Sequence, residues 1–199
     1  MKLWYLTLSL LVVLGCSRPE FFVGTGGKYN AGKEEIIKQR GANMDKAIVN
    51  LEAVAREDPT YKDSLTLLGR AYYRRERYND AKLILQRALV VNQKDEIAWL
   101  TLGLTQLRLG ENDRGLQSIQ GGLTLLSKAN QEGYKGHEVW DRGGKVKIAV
   151  RRAVVAAQKG LEAGTKDGLI RSVEATLASI DDEEFHQYLE RNQIYRDQY

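Results

Sequence analysis

The feature that most limits what this chain can fold into is a self-similarity at a fixed period. Leu65, Leu68, Gly69 and Tyr72 are answered 34 residues later by Trp99, Leu102, Gly103 and Gln106. Ala47 and Leu51, Ala81 and Leu85, and Gly115 and Ile119 follow one another at the same interval. A period of this length denotes one supersecondary unit stacked on copies of itself, because a single unit cannot bury its own apolar face. Apolar residues at i, i+3, i+4 and i+7 within each unit predict two amphipathic helices. Gly69, Ala81 and Ala88 are small enough to let the paired helices approach closely, and Leu65, Leu68, Tyr72 and Leu85 then fill the space between layers. Breaks are expected at 41–43, 77–79 and 110–112, where Asn43, Asn79 and Asn112 are placed to cap the next helix. Thr60 and Asp63 mark a further helix start.

These positions resemble the tetratricopeptide repeat, whose pattern runs W-x2-L-G-x2-Y, then A-x3-F, then P. Leu65 stands for the tryptophan, Leu85 for the phenylalanine, and Pro59 closes the first unit, while Gln106 departs from the tyrosine that Tyr72 supplies. The resemblance is strong from about 43 to 127, and the helix before it, at about 30–40, is degenerate. It implies an all-α, right-handed α-α superhelix of about 2.5 to 3 repeats over 30–127 with C-terminal capping helices. Composition agrees, since only Pro19 and Pro59 interrupt a chain dominated by helix formers.

Beyond Ser127 the pattern fails. Residues 128–144 hold many glycines together with Tyr134 and Trp140, which predicts a long loop that is either functional or folded back on the last repeat. From Val146 a stripe of Ala149, Val150, Ala153, Ala157 and Leu161 predicts a helix buried between neighbours. A second helix is expected over about 166–180, and a third from Asp181 or Asp182, with Asp181 and Glu184 forming a capping box. The region 145–199 thus reads as the cap that a stack of repeats needs at its open end.

The N-terminus has its own logic. Lys2 leads an apolar run from Leu3 to Leu14, too short to cross a bilayer as a helix but suited to a secretory signal. Gly15 and then Cys16, the single cysteine, follow at once. The arrangement resembles the lipobox of bacterial lipoproteins. That resemblance implies a signal peptide at 1–15, a lipidated (for example palmitate-bearing) Cys16 as membrane anchor, and, through Ser17, sorting to the outer membrane with the protein facing the periplasm. The other reading is an ordinary signal peptide, or a core helix, with Cys16 incidental. Residues 16–29, rich in glycine, read as a flexible tether. Without Lys2, 29 basic residues face 26 acidic ones, too even a balance for a dedicated nucleic-acid binder.

No catalytic constellation is present in the sequence. His137 and His186 share no metal-ligand spacing, and the run Asp181 to Glu184 suits a helix start better than a metal. The expectation is therefore no enzyme, no cofactor, no metal and no small-molecule substrate. The resemblance implies that the first helix of each unit lines a concave face that takes a peptide or amphipathic helix. Ile97, Leu100, Leu104 and Leu107 would form its apolar end, and Arg70, Tyr73 and Arg74 its cationic end, unless the C-terminal helices cover that stripe as core. The function so implied is a non-catalytic envelope lipoprotein, a scaffold or adaptor that binds another envelope protein in an assembly or secretion complex. The alternative is a structural subunit of such a complex with no free groove.

Overall fold

The computed structural model describes residues 24–38, 40–132, 145–163 and 166–197, and among these there are eight helices and no strand. Three antiparallel pairs come first: α1 (Thr25–Ile37) with α2 (Met44–Glu57), α3 (Ser64–Arg74) with α4 (Tyr78–Val91), and α5 (Glu96–Arg108) with α6 (Asn112–Glu132). A final pair follows, α7 (Lys145–Ala163) with α8 (Lys166–Asp197). The protein is an all-helical α-α solenoid closed by two C-terminal helices.

Each repeat pair is seated on a glycine of its first helix. A side chain at Gly69 would collide with Leu85, one at Gly103 with Ile119 and the Gly115 carbonyl, and one at Gly32 with Leu51. The contact at Gly32 makes α1 the first helix of a complete repeat. It takes up the last five residues of the expected tether, where Tyr29 is buried and its hydroxyl donates to Asp63 at 2.5 Å. Tertiary packing here overrides the weak helix preference of a glycine-rich stretch.

The helix boundaries follow local chemistry. Asn43 caps α2 by accepting from the Lys46 amide, and Asp95 caps α5 by accepting from the Ala98 amide. At α3 the expected cap is absent, since the Asp63 carboxylate is engaged by Tyr29 instead. α4 begins at Tyr78 behind Arg77, and Asn112 is the first residue of α6 rather than its cap. Gly110, at φ +82°, supplies the left-handed turn between α5 and α6.

Two cores result. The first joins α1 to α5 through Ile36, Leu51, Val54, Leu68, Leu85 and their neighbours. The second joins α5 and α6 to the last pair through Leu104, Ile119, Leu126, Val146, Val150, Leu169, Val173 and Leu177. Two further expectations need correction. The loop expected from 128 does not begin there, since α6 continues to Glu132. The break expected at Asp181 does not occur: α8 runs unbroken through it, and Asp181 is a buried mid-helix residue. Residues 1–23, with Cys16 and the lipobox, and residues 133–144, with Tyr134, His137 and Trp140, lie outside the described residues. So do the side chains of Ala157 and Leu161.

Candidate functional site

The concave face is built from the first helices α1, α3 and α5. Equivalent positions differ in chemistry: Arg70 on α3 corresponds to Leu104 on α5 at the 34-residue interval, while Arg74 corresponds to Arg108. The face is therefore cationic at both of these levels on α3 but, on α5, apolar at Leu104 and cationic only at Arg108. Lying across it is α8, and its own sequence is graded in the same sense.

The N-terminal part of α8 contributes Leu169, Ile170, Val173, Leu177 and Ile180, all buried and in one core with Leu104. Acidic and hydroxyl groups then appear at two-turn intervals. Glu174 accepts from the Tyr73 hydroxyl at 2.6 Å and from Arg108 at 3.1 Å. Asp181 accepts from Arg70 at 2.5 Å on one carboxylate oxygen and from Arg74 at 2.5 Å on the other. Glu184 pairs with Lys33 of α1 at 3.5 Å, and the Tyr188 hydroxyl donates to Glu34 at 3.3 Å. Seven residues of helix rise about 10.5 Å, close to the ~10 Å between packed helices. Residues 174, 181 and 188 thus step from the α5 edge of the face to α3 and then to α1.

Electrostatics locks this arrangement. The Arg70 side chain is 6% exposed and that of Asp181 is 2%. Burial opposes the charge on Arg70, but the charge of Asp181 and its bond to the guanidinium outweigh it, and the net direction is upward. Arg74 is shifted downward, by burial first and then by its like-charged neighbour Arg70. It also donates to the Ile36 carbonyl at 2.5 Å, satisfying a free acceptor at the end of α1. Burial, and then the bond to Glu174, hold the Tyr73 phenol well above its usual range, so it remains a donor.

The residues named from the sequence fall into three places. Arg70, Tyr73 and Arg74 do lie together on the concave face, and each is already bonded to α8. Leu104 faces the same helix within the second core, and Ile97 packs at that core's edge. Leu100 and Leu107 point elsewhere, into the spaces that Gly122 and Gly115 of α6 leave open, so they belong to the α5–α6 seam. What remains of the concave opening is a cleft of about 350 Å³ beside α8, lined by Arg74, Tyr78, Arg108 and Glu174 among others. Its three arginines are engaged by two acids of α8, Arg70 and Arg74 by Asp181 and Arg108 by Glu174.

The residues that sequence reasoning missed are Asp181, Glu174 and Glu184 as occupants of this face. A signal existed: an acid at 174, 181 and 184 along an apolar stripe matches the cationic and apolar gradation of α3 and α5. Among the described residues no group of three or more His, Cys, Asp or Glu side chains is placed to hold a metal. No described helix is long and apolar enough to cross a membrane.

The family model of the tetratricopeptide repeat matches residues 42–117, the segment that carries α2 to the start of α6. No curated protein matches the chain. A repeat segment of this kind suggests a protein–protein interaction scaffold, and an all-helical repeat fold of this kind is typically non-catalytic.

Proposed function

We propose that this protein is a lipid-anchored subunit of a bacterial envelope complex, a non-catalytic scaffold whose own C-terminal helix fills the groove that an adaptor would keep free. The observation that carries this reading is α8 seated along α5, α3 and α1, with Asp181 holding both Arg70 and Arg74. Opening that groove would break the bonds of Asp181 to Arg70 and Arg74 and expose Leu104 and the second core. A peptide would have to replace every one of those contacts, so exchangeable peptide capture is disfavoured relative to permanent assembly. The envelope location rests on the sequence alone: the apolar run from Leu3 to Leu14 and the Gly15–Cys16 pair.

Two measurements test it. Mass spectrometry of the protein isolated from envelope membranes is expected to find Cys16 as an acylated N-terminus, and Cys16→Ser to release the protein from membranes. An unmodified N-terminus on a membrane-free wild type overturns the anchor. For the subunit role, co-purification in mild detergent is expected to give a stoichiometric complex that survives gel filtration. A partner that exchanges within minutes and competes with free peptide would restore the adaptor.

A further inference from the structure

With the concave face filled, the scaffold needs a docking surface elsewhere. We propose that the groove between α7 and α8 on the side away from the repeats receives an acidic amphipathic helix of a partner protein. This extends the scaffold reading and does not depend on the anchor at Cys16.

The groove is about 670 Å³ and runs along both helices of the last pair. Its floor is Gly168, Ser172, Ala175 and Ser179, spaced to lie on one face of α8. From 168 to 179 that floor is about 16 Å long, three helical turns. Small residues allow another helix to come close, because interaxial distance is set by the side chains at the contact. The two serines do not ask for a polar partner: Ser172 donates to the Gly168 carbonyl at 3.0 Å and Ser179 to the Ala175 carbonyl at 2.9 Å. Ile148, 49% exposed, forms an apolar wall.

The charges select the partner. Lys145, Arg152 and Arg171 line the groove, and no carboxylate does. Lys145 reaches Asp182 at 3.5 Å, an exposed pair of little energetic weight. Neither Arg152 nor Arg171 has a carboxylate partner among the described residues. The cleft on the concave side shows the contrast, since there each arginine faces an acid. It also shows the solution this chain uses: a helix that brings one carboxylate to two guanidiniums, as Asp181 does for Arg70 and Arg74. Arginine forks engage carboxylates with defined geometry, so an acid-flanked helix with a small or apolar stripe fits this surface. A groove with a narrow floor also suits a rod better than the flat plane of a membrane.

The test uses the full-length protein in a neutral sugar detergent. The probe is a synthetic helical peptide with an alanine-leucine stripe flanked by glutamates; its lysine-flanked counterpart is the control. Vesicles of phosphatidylcholine with phosphatidylglycerol at three to one provide a second comparison. The variants are Arg152→Glu with Arg171→Glu, and Ala175→Trp, each checked for an unchanged thermal midpoint. The expected result is saturable binding of the acidic peptide that weakens about tenfold or more in both variants. The charge-reversed protein should then prefer the lysine peptide. Three results overturn the proposal: no binding of the acidic peptide at low salt, binding that Ala175→Trp leaves unchanged, or vesicle binding in place of peptide binding. The last would assign the basic rim to a lipid surface.

Discussion

The front and rear cores of this solenoid are assembled from the same kinds of side chain but by different rules. In the front core, from α1 to α5, each layer repeats the last: a leucine of the second helix enters the gap left by a glycine of the first. In the rear core, α5 and α6 meet helices that repeat nothing, and Leu104 shares its cluster with Val173 and Leu177, some seventy residues away. Polar bonds in the front join neighbouring elements of the repeats, such as Tyr29 to Asp63 and Lys46 to Glu35, whereas those of α8 reach across the concave face to α5, α3 and α1. Periodic packing tolerates gradual change because each layer contacts only its neighbours. A single long helix laid across three layers has no such freedom, because its polar groups must fall in register with all of them.

The sharpest way to break the rear core is Leu104→Asp, at a fully buried position. It is expected to cost about 4 kcal/mol or more, because an unpaired carboxylate would sit among leucines. Urea denaturation checks it; a folded Leu104→Asp would mean that α8 does not cover that position. Next, Asp181→Ala should cost about 3–5 kcal/mol by leaving Arg70 buried without its partner. Replacing both groups by apolar ones, Arg70→Met with Asp181→Leu, should recover most of that loss. If the double variant is as unstable as the single one, the pair is not what sets the cost.

Within the repeats, Gly103→Ala should destabilise by about 3 kcal/mol or more and Gly69→Ala by about 1–2 kcal/mol. An added methyl group at Gly103 meets the Gly115 carbonyl and the Ile119 amide at 2.8 and 2.9 Å, and backbone cannot step aside. At Gly69 it meets only the side chain of Leu85. Thermal melts of the two variants compare the layers directly. Tyr73→Phe removes the bond to Glu174 and should cost about 1 kcal/mol.

The smallest effect is expected in acid. Glu35 is buried, and the bond from Lys46 and then the Asn43 amide hold its carboxyl below the usual range. A depressed carboxyl stabilises the fold above its unfolded pKa and loses that contribution as pH falls through the folded value. Asp95 has the opposite sign: burial raises it, despite the Thr66 hydroxyl and the Ala98 amide, so its penalty is relieved as pH falls. Urea midpoints between pH 6 and 3 should therefore fall less steeply in Glu35→Gln and more steeply in Asp95→Asn than in the wild type.

The repeats were legible wherever spacing was constant. Gly32 escaped because it lies 19 residues before Leu51, whereas Gly69 and Gly103 lie 16 before Leu85 and Ile119. The link between α1 and α2 is three residues longer than that between α3 and α4, which moves α1 out of the 34-residue frame without altering its packing. Asp181 escaped for another reason: an acidic run beside a helical stripe reads equally as a cap or as a helix interior, and only a partner separates the two.

The sequence alone determined the class of the fold, the repeat register from Asn43 to Ile119, and the chemical grading of the concave face. Those follow from local periodicity, which a chain carries whatever surrounds it. The tertiary structure decided that the face is occupied, that its occupant is α8, and that Leu100 and Leu107 belong to a helix seam rather than a groove. Such facts depend on which distant groups meet. Burial of Arg70 becomes tolerable only when Asp181, 111 residues further on, arrives to share its charge.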